Sequence, residues 1–326
     1  QIMVFHPTEE EFSDFGKYIQ YMESVGAHKA GIAKVVPPAS WIPRRSGYDD
    51  IDVMIPGPLK QIIKGGQGKY QCSNIKQDSM HVKDFKAMAN SKKYRPPDCD
   101  GDMESIERKY WKNVTFNPAI YGADVSDSLY DKDQELWNPA KLKTILDHVE
   151  EDYNTTIEGV TSTYLYFGMW KSTFAWHTED MDLYSINVLH FGAPKFWYSI
   201  PTEHGRKLER LAASYFPDDA NTCANFLRHK STLISPTALR LNNIPYNKIQ
   251  QGPRDIIISF PFAYHAGFNT GFNCAESTNF ASLRWIEYGK RAIQCDCRPH
   301  MVRFSMKCFV RRYQPDKWEL FQNNLD

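Results

Sequence analysis

Apolar positions recur with two different periods along this chain, helical near the start and alternating in the second half. Phe12, Phe15, Ile19 and Met22 fall at helical spacing behind Thr8-Glu9-Glu10-Glu11, a capping box with Thr8 at the N-cap and Glu11 at N3. The pattern predicts one amphipathic helix over residues 8–24, closed by Gly26, and a strand at 33–36 closed by Pro37-Pro38. That helix-strand module is too small for a core of its own and must pack on something larger. Residues 39–80 are rich in Pro and Gly and show no clear period beyond a short strand near Tyr70. Helices follow over 82–89 and 103–111, with a strand at 114–116. Asn138-Pro139 opens a further helix with Leu142, Ile145, Leu146 and Val149 on one face.

From Tyr153 onward alternation takes over. Short strands are expected at 155–160, 163–169, 173–177, 184–191 and 195–200. After a helix over 203–215 come strands at 248–250, 255–262, 266–268 and 276–280, and helical segments from Ser305 close the chain. So many short strands at regular spacing predict a mainly β protein with flanking helices, built as a sandwich or barrel; a two-sheet jelly roll, of which the cupin-like barrel is one member, is one way to protect the edges.

Composition narrows the picture. The chain has 326 residues, 42% apolar and 14% aromatic, enough for a sizeable core. Its formal charge is zero, so the whole chain is no electrostatic glove for DNA. No run of eighteen or more apolar residues is present, so no transmembrane helix is expected. Seven cysteines, among them Cys223, Cys295, Cys297 and Cys308, suit a reduced compartment with a metal site better than a disulfide framework.

The candidate chemistry centres on Trp176-His177-Thr178-Glu179-Asp180. On an extended chain His177 and Glu179 point the same way and Thr178 the other. An imidazole and a carboxylate held side by side are two-thirds of a 2-His-1-carboxylate site for non-haem Fe(II), which leaves open positions for cosubstrate and oxygen. The third ligand should be a distant histidine on another strand, and His265, after the apolar run 256–262, is the best candidate. A short His-x-Glu pair arises often by chance, so spacing alone is weak support. Lys195, after the Gly192-Ala193-Pro194 turn, could reach into a barrel and pair with a dicarboxylate; a solvated strand lysine is the commoner case. Alternation places Tyr184, Ile186 and Val188 on one face and Ser185, Asn187 and Leu189 on the other, where Asn187 needs a structural partner or a ligand carboxylate.

Longer motifs carry a resemblance. They are Gly26-Ala27-His28, Asn117-Pro118 through Asp124, Tyr164-Leu165-Tyr166-Phe167-Gly168-Met169-Trp170-Lys171, Phe174 through Asp180, His265-Ala266-Gly267-Phe268-Asn269, and Asn273 through Phe280. In this order, spanning Val4 to Gln314, they resemble the catalytic core of the JmjN-JmjC histone lysine demethylases, the group acting on trimethylated lysines of histone H3. The resemblance implies a double-stranded β-helix, with a JmjN-type module at 3–45, a linking region at 46–130, the JmjC barrel at 131–297 and a C-terminal helical segment at 298–326.

By position, the resemblance makes His177, Glu179 and His265 the iron ligands. Tyr121 and Lys195 would grip the far carboxylate of 2-oxoglutarate, with Asn187 and Phe174 lining the same pocket. Gly159, Tyr166, Glu179, Ser277 and Asn279 would surround the methylated ammonium, whose polarised methyls suit C–H···O contacts. Cys223, His229, Cys295 and Cys297 would hold a structural zinc that pins the C-terminal segment, with Cys308 and His300 as nearby competitors on spacing alone. The implied reaction consumes 2-oxoglutarate and O2 and releases succinate, CO2 and formaldehyde. Ser277-Thr278 resembles the members that accept tri- and dimethyl states, with lysines nine and thirty-six of the histone H3 tail as targets and the nucleus as location. Neither a membrane nor sequence-specific nucleic acid is an expected partner. Ala193, Phe262-Ala263-Tyr264, Thr270 and 251–255 depart from the family pattern and bear on substrate preference. Two other readings stand beside this one, a methyl-lysine binding module without turnover and a protein hydroxylase of the same fold.

Overall fold

A computed structural model of the chain describes residues 1–99, 101–299 and 301–326. Eight strands build two facing sheets: β1 (Tyr164–Gly168), β2 (Thr173–His177), β3 (Tyr184–Gly192), β4 (Lys195–Ser199), β5 (Asn247–Gln251), β6 (Ile256–Ser259), β7 (His265–Asn269) and β8 (Asn273–Phe280). The larger sheet runs β6-β3-β8-β1 and the smaller β5-β4-β7-β2, every pair antiparallel. The chain changes sheet at every step except from β4 to β5, where the 202–246 insertion intervenes. This is a two-sheet jelly roll, the double-stranded β-helix that the family resemblance implies. Tyr184, Ile186 and Val188 face a core under the N-terminal helices, and Ser185 and Asn187 face the space between the sheets.

The larger sheet is extended to ten strands. On the β6 side it gains Ile32–Val35 and then Val4–Phe5, so the N-terminal module is completed by the barrel. On the β1 side it gains Ala119–Ser126, Leu59–Gly66, Lys69–Lys76 and Thr232–Ile234. The Leu59–Gly66 and Lys69–Lys76 strands form a hairpin in the stretch expected to be irregular. Its two-residue turn has Gln67 and Gly68 at positive φ (55° and 84°), as a twist-matched hairpin turn requires. The adjacent Ile62-Ile63 and the Gly65-Gly66 pair hide the alternation from a sequence reading.

Other expectations change with tertiary context. The capping box forms, but the single helix expected over 8–24 is two, Glu9–Phe12 and Phe15–Ser24, because the Asp14 side chain caps a new start at Lys17 N, 3.1 Å away. The break lets Phe12 stack flat on Trp137 at 4.6 Å while Phe15 meets the same ring edge-on. The strand expected at 155–160 is a turn, with Gly159 at φ +77° and Ile157 bonded to Thr161 instead of to a neighbouring strand. At 114–116 the chain also turns, since the Lys171 ammonium collects the carbonyls of Asn113, Phe116 and Asn117. The helix opened by Asn138-Pro139 stops after Lys141; Lys143 has positive φ, and a separate helix covers Asp147–Tyr153. The strand expected at 255–262 shortens to β6 because Phe262 sits at φ +54°. Among the described residues no helix is long and apolar enough to cross a membrane.

Candidate active site

A cavity of about 170 Å³ opens between the sheets. His177, at the end of β2, is the register partner of His265 at the start of β7, which brings two distant imidazoles together, 4.3 Å between ring centres and tilted by 58°. Glu179, two residues on, turns Oε2 toward both: 3.2 Å to His177 Nε2 and 3.1 Å to His265 Nε2. Its Oε1 accepts from Asn279 Nδ2 on β8 at 3.0 Å. Thr178 points away, as strand parity demands, and donates to Asp182.

Each histidine places Nδ1 by a main-chain carbonyl, Ala175 O at 2.8 Å for His177 and Ala263 O at 2.9 Å for His265. With Nδ1–H donated, Nε2 carries the lone pair. Burial, then the neighbouring His265, pushes the His177 pKa down to about 4, so its imidazole is neutral. Despite the opposing effect of burial, the Glu179 carboxyl is held well below its usual range, so it is ionised. Two lone pairs and a carboxylate oxygen thus converge with too few protons to join them. That arrangement is repulsive by itself and fits a cation. Donor atoms about 2.1 Å from an ion at right angles stand about 3 Å apart, close to the spacings seen.

Further along the cavity, Lys195 on β4 is fully buried and donates to Tyr121 Oη at 3.2 Å and Asn269 Oδ1 at 2.8 Å. Burial lowers its pKa to about 7, and among the described residues no carboxylate is bonded to it. Phe174 lies 5.3 Å from the ammonium. A side chain at Gly267 would strike Phe196 O at 1.9 Å and the Phe174 ring at 2.5 Å, so glycine is needed for that ring to sit in the cavity. Asn187 lines the same wall, its Oδ1 held by Gln251 Nε2 at 3.1 Å.

Tyr166, Glu179 and Ser277 line the mouth, and Asn279 reaches it through Glu179. Gly159 does not line the cavity; it backs onto the Tyr164 ring, where a Cβ would come within 2.3 Å. Several lining residues were not singled out from the sequence. Lys230 is one; burial opposes its charge, but Asp180, Glu179 and Asp124 raise its pKa. Asp124 is another, acting with burial to hold the Tyr166 hydroxyl well above its usual range. The hairpin contributes Gln61, Cys72 and Asn74. Lys230 and the hairpin residues carry no local pattern, because they arrive from a left-handed position after His229 and from an unrecognised hairpin; Asp124 lies within a quoted motif, at positive φ on the Ala119–Ser126 strand.

A second cluster gathers Cys223, His229, Cys295 and Cys297, ligand atoms all within 4.8 Å of one another. His229 Nε2 lies 3.1 Å from Cys295 Sγ and 3.0 Å from Cys297 Sγ. Three sulfurs and one imidazole are a closed structural-zinc donor set. Cys308 is packed in the core beside Trp285 and Phe309, apart from this cluster, and His300 lies outside the described residues. Arg228 connects the cluster's surroundings to the first site, donating to Ile293 O at 3.1 Å, Asp182 Oδ1 at 2.9 Å and Glu179 O at 2.7 Å.

Comparison with known proteins agrees with this geometry. The family described as "JmjC domain, hydroxylase" matches residues 164–280, and the jmjN domain family matches residues 3–37. Over its whole length the chain is 56% identical to lysine-specific demethylase 4B of Mus musculus and 54% identical to lysine-specific demethylase 4D of Rattus norvegicus. It spans 30% of the former protein and 64% of the latter.

Proposed function

The chain belongs to the JmjN-JmjC family, and on that premise we propose that it is an Fe(II)- and 2-oxoglutarate-dependent demethylase of tri- and dimethylated lysine on the histone H3 tail. One observation carries the reading: the His177-Glu179-His265 acceptor set and the unbalanced Lys195 ammonium share a single cavity. Iron bound by that set, with 2-oxoglutarate and O2, would supply the oxidation of an N-methyl group, with succinate and CO2 formed and formaldehyde lost afterwards.

The chain's own residues bind and aim. Lys195 and Tyr121 take the far carboxylate of 2-oxoglutarate, a charge-assisted pairing that gives Lys195 a counter-charge. Phe174 and Asn187 flank that ligand and exclude water. At the mouth, Tyr166, Ser277, Asn279 and Glu179 offer oxygens to the methylammonium, which lacks N–H donors once trimethylated and must be held by C–H···O contacts and charge. Gly159 would support this pocket only from outside, behind Tyr164, whose ring meets that of Tyr166 at 6.3 Å. Zinc held by Cys223, His229, Cys295 and Cys297 would brace the Arg228 link to Glu179. Lysines nine and thirty-six of histone H3 are the proposed targets and the nucleus the proposed location, in keeping with relatives named lysine-specific demethylases.

The test is release of formaldehyde from a trimethylated histone H3 peptide with Fe(II), ascorbate and 2-oxoglutarate. Turnover by the wild-type protein and none by His177→Ala is expected. Absence of formaldehyde from the wild type would leave the methyl-lysine binding module as the better reading. A stable gain of oxygen on the peptide, seen by mass spectrometry in place of methylene loss, would favour the hydroxylase.

A further inference from the structure

The buried ammonium of Lys195 is held in an unusual way. Its two hydrogen-bond partners, Tyr121 Oη and Asn269 Oδ1, are both neutral. Asn269 is itself fully buried and is the register partner of Lys195 across β4 and β7. Its amide has no freedom to turn. Oδ1 also accepts from Asn273 Nδ2 at 3.0 Å, and Nδ2 donates to Ser172 Oγ at 2.9 Å. Asn273 is tied in turn to Ala193 O at 2.9 Å. Gly168 packs against both amides; a Cβ there would come within 2.4 Å of Asn273 Oδ1 and 2.6 Å of Asn269 Cγ. The oxygen of Asn269 is therefore locked toward the ammonium by two donors on one side and its own donor on the other.

A locked neutral acceptor does two things at once. It orients the lysine, so that little rotamer freedom remains to be lost on binding. It also leaves the positive charge without a counter-ion where bulk water does not reach it, so that a missing counter-charge matters most. A carboxylate at the same position would orient the lysine equally well and would cancel its charge from within. We propose that Asn269 sets the selectivity of this cavity for dicarboxylate over monocarboxylate 2-oxo acids, by holding Lys195 in place while leaving its charge for the ligand's second carboxylate to balance. This rests on the reading of the cavity as a 2-oxoglutarate site and assigns its selectivity to a residue that touches the lysine.

The test is equilibrium binding by calorimetry, with Mn(II) in place of Fe(II), of 2-oxoglutarate and of 2-oxovalerate, which has the same chain length without the second carboxylate. Asn269→Asp should lower the ratio of the two affinities at least tenfold, chiefly by weakening 2-oxoglutarate. Asn269→Ala, which removes the orienting acceptor without adding charge, should lower the ratio about threefold and serves if the aspartate variant does not fold. A purely structural role would weaken both ligands alike, and an unchanged ratio in either folded variant would overturn the proposal. If the wild-type protein bound no 2-oxoglutarate, the cavity assignment itself would fall, a distinguishable result.

Discussion

At the scale of single residues, Lys195 couples stability to function. Its pKa near 7 lies below the value of about 10.4 expected in an unfolded chain. Between those values the unfolded chain binds more protons, so this group makes the ligand-free protein less stable as pH falls from about 10 to about 7, and its effect levels off below 7. Lys195→Met should therefore stabilise the ligand-free protein near pH 7 by about 1–2 kcal/mol in urea unfolding, while 2-oxoglutarate affinity falls about thirtyfold or more. A variant that is destabilised at that pH would contradict the unbalanced charge. His177 and Glu179 were legible in the sequence because strand parity alone puts them on one face. Lys230 was not, because its place in the cavity follows from a left-handed turn after His229 and from Asp180, Glu179 and Asp124 facing it.

At the scale of elements, the hairpin and the 113–117 turn show packing overriding local preference. Gly68 has φ +84°, and a Cβ there would lie 2.7 Å from Ser235 Oγ and 2.8 Å from Ala238 Cβ. Gly68→Ala should cost about 1–3 kcal/mol in urea unfolding, and it should weaken 2-oxoglutarate binding because Gln61 and Cys72 ride on the same hairpin. Lys171→Met removes the donor that three carbonyls of the turn share. It should lower the thermal midpoint and expose residues 113–117 to hydrogen exchange, since the freed carbonyls lose their buried partner. Residues 155–160 were misread for a related reason. Their β-branched side chains favour a strand, but the backbone bonds locally, Ile157 N to Thr161 Oγ1 and Thr161 N to Ile157 O, and Gly159 supplies a positive φ that turns the chain.

At the scale of the molecule, the two candidate metal centres are linked through Arg228, whose guanidinium spans Glu179 O, Asp182 and Ile293 O. One zinc per chain is expected by elemental analysis. Cys295→Ser or a strong chelator should remove it and raise hydrogen exchange first in residues 292–299, before the eight-stranded core opens. Exchange that rose everywhere at once would mean that zinc holds the whole fold together. The N-terminal module is joined less by metal than by strand pairing with β6 and by Arg254, which donates to Pro38 O and Trp41 O from a segment that departs from the family pattern. The sequence by itself determined the period of most segments from Tyr164 onward, hence the barrel, the shared face of His177 and Glu179, and a candidate third ligand in His265. Motifs of family length added the expected zinc ligands and the expected clamp. Tertiary structure alone decided that His265 lies opposite His177, that the hairpin walls the cavity, and that a locked amide leaves Lys195 uncompensated. Those facts depend on register and burial between residues far apart in sequence, which no local pattern of polar and apolar positions encodes.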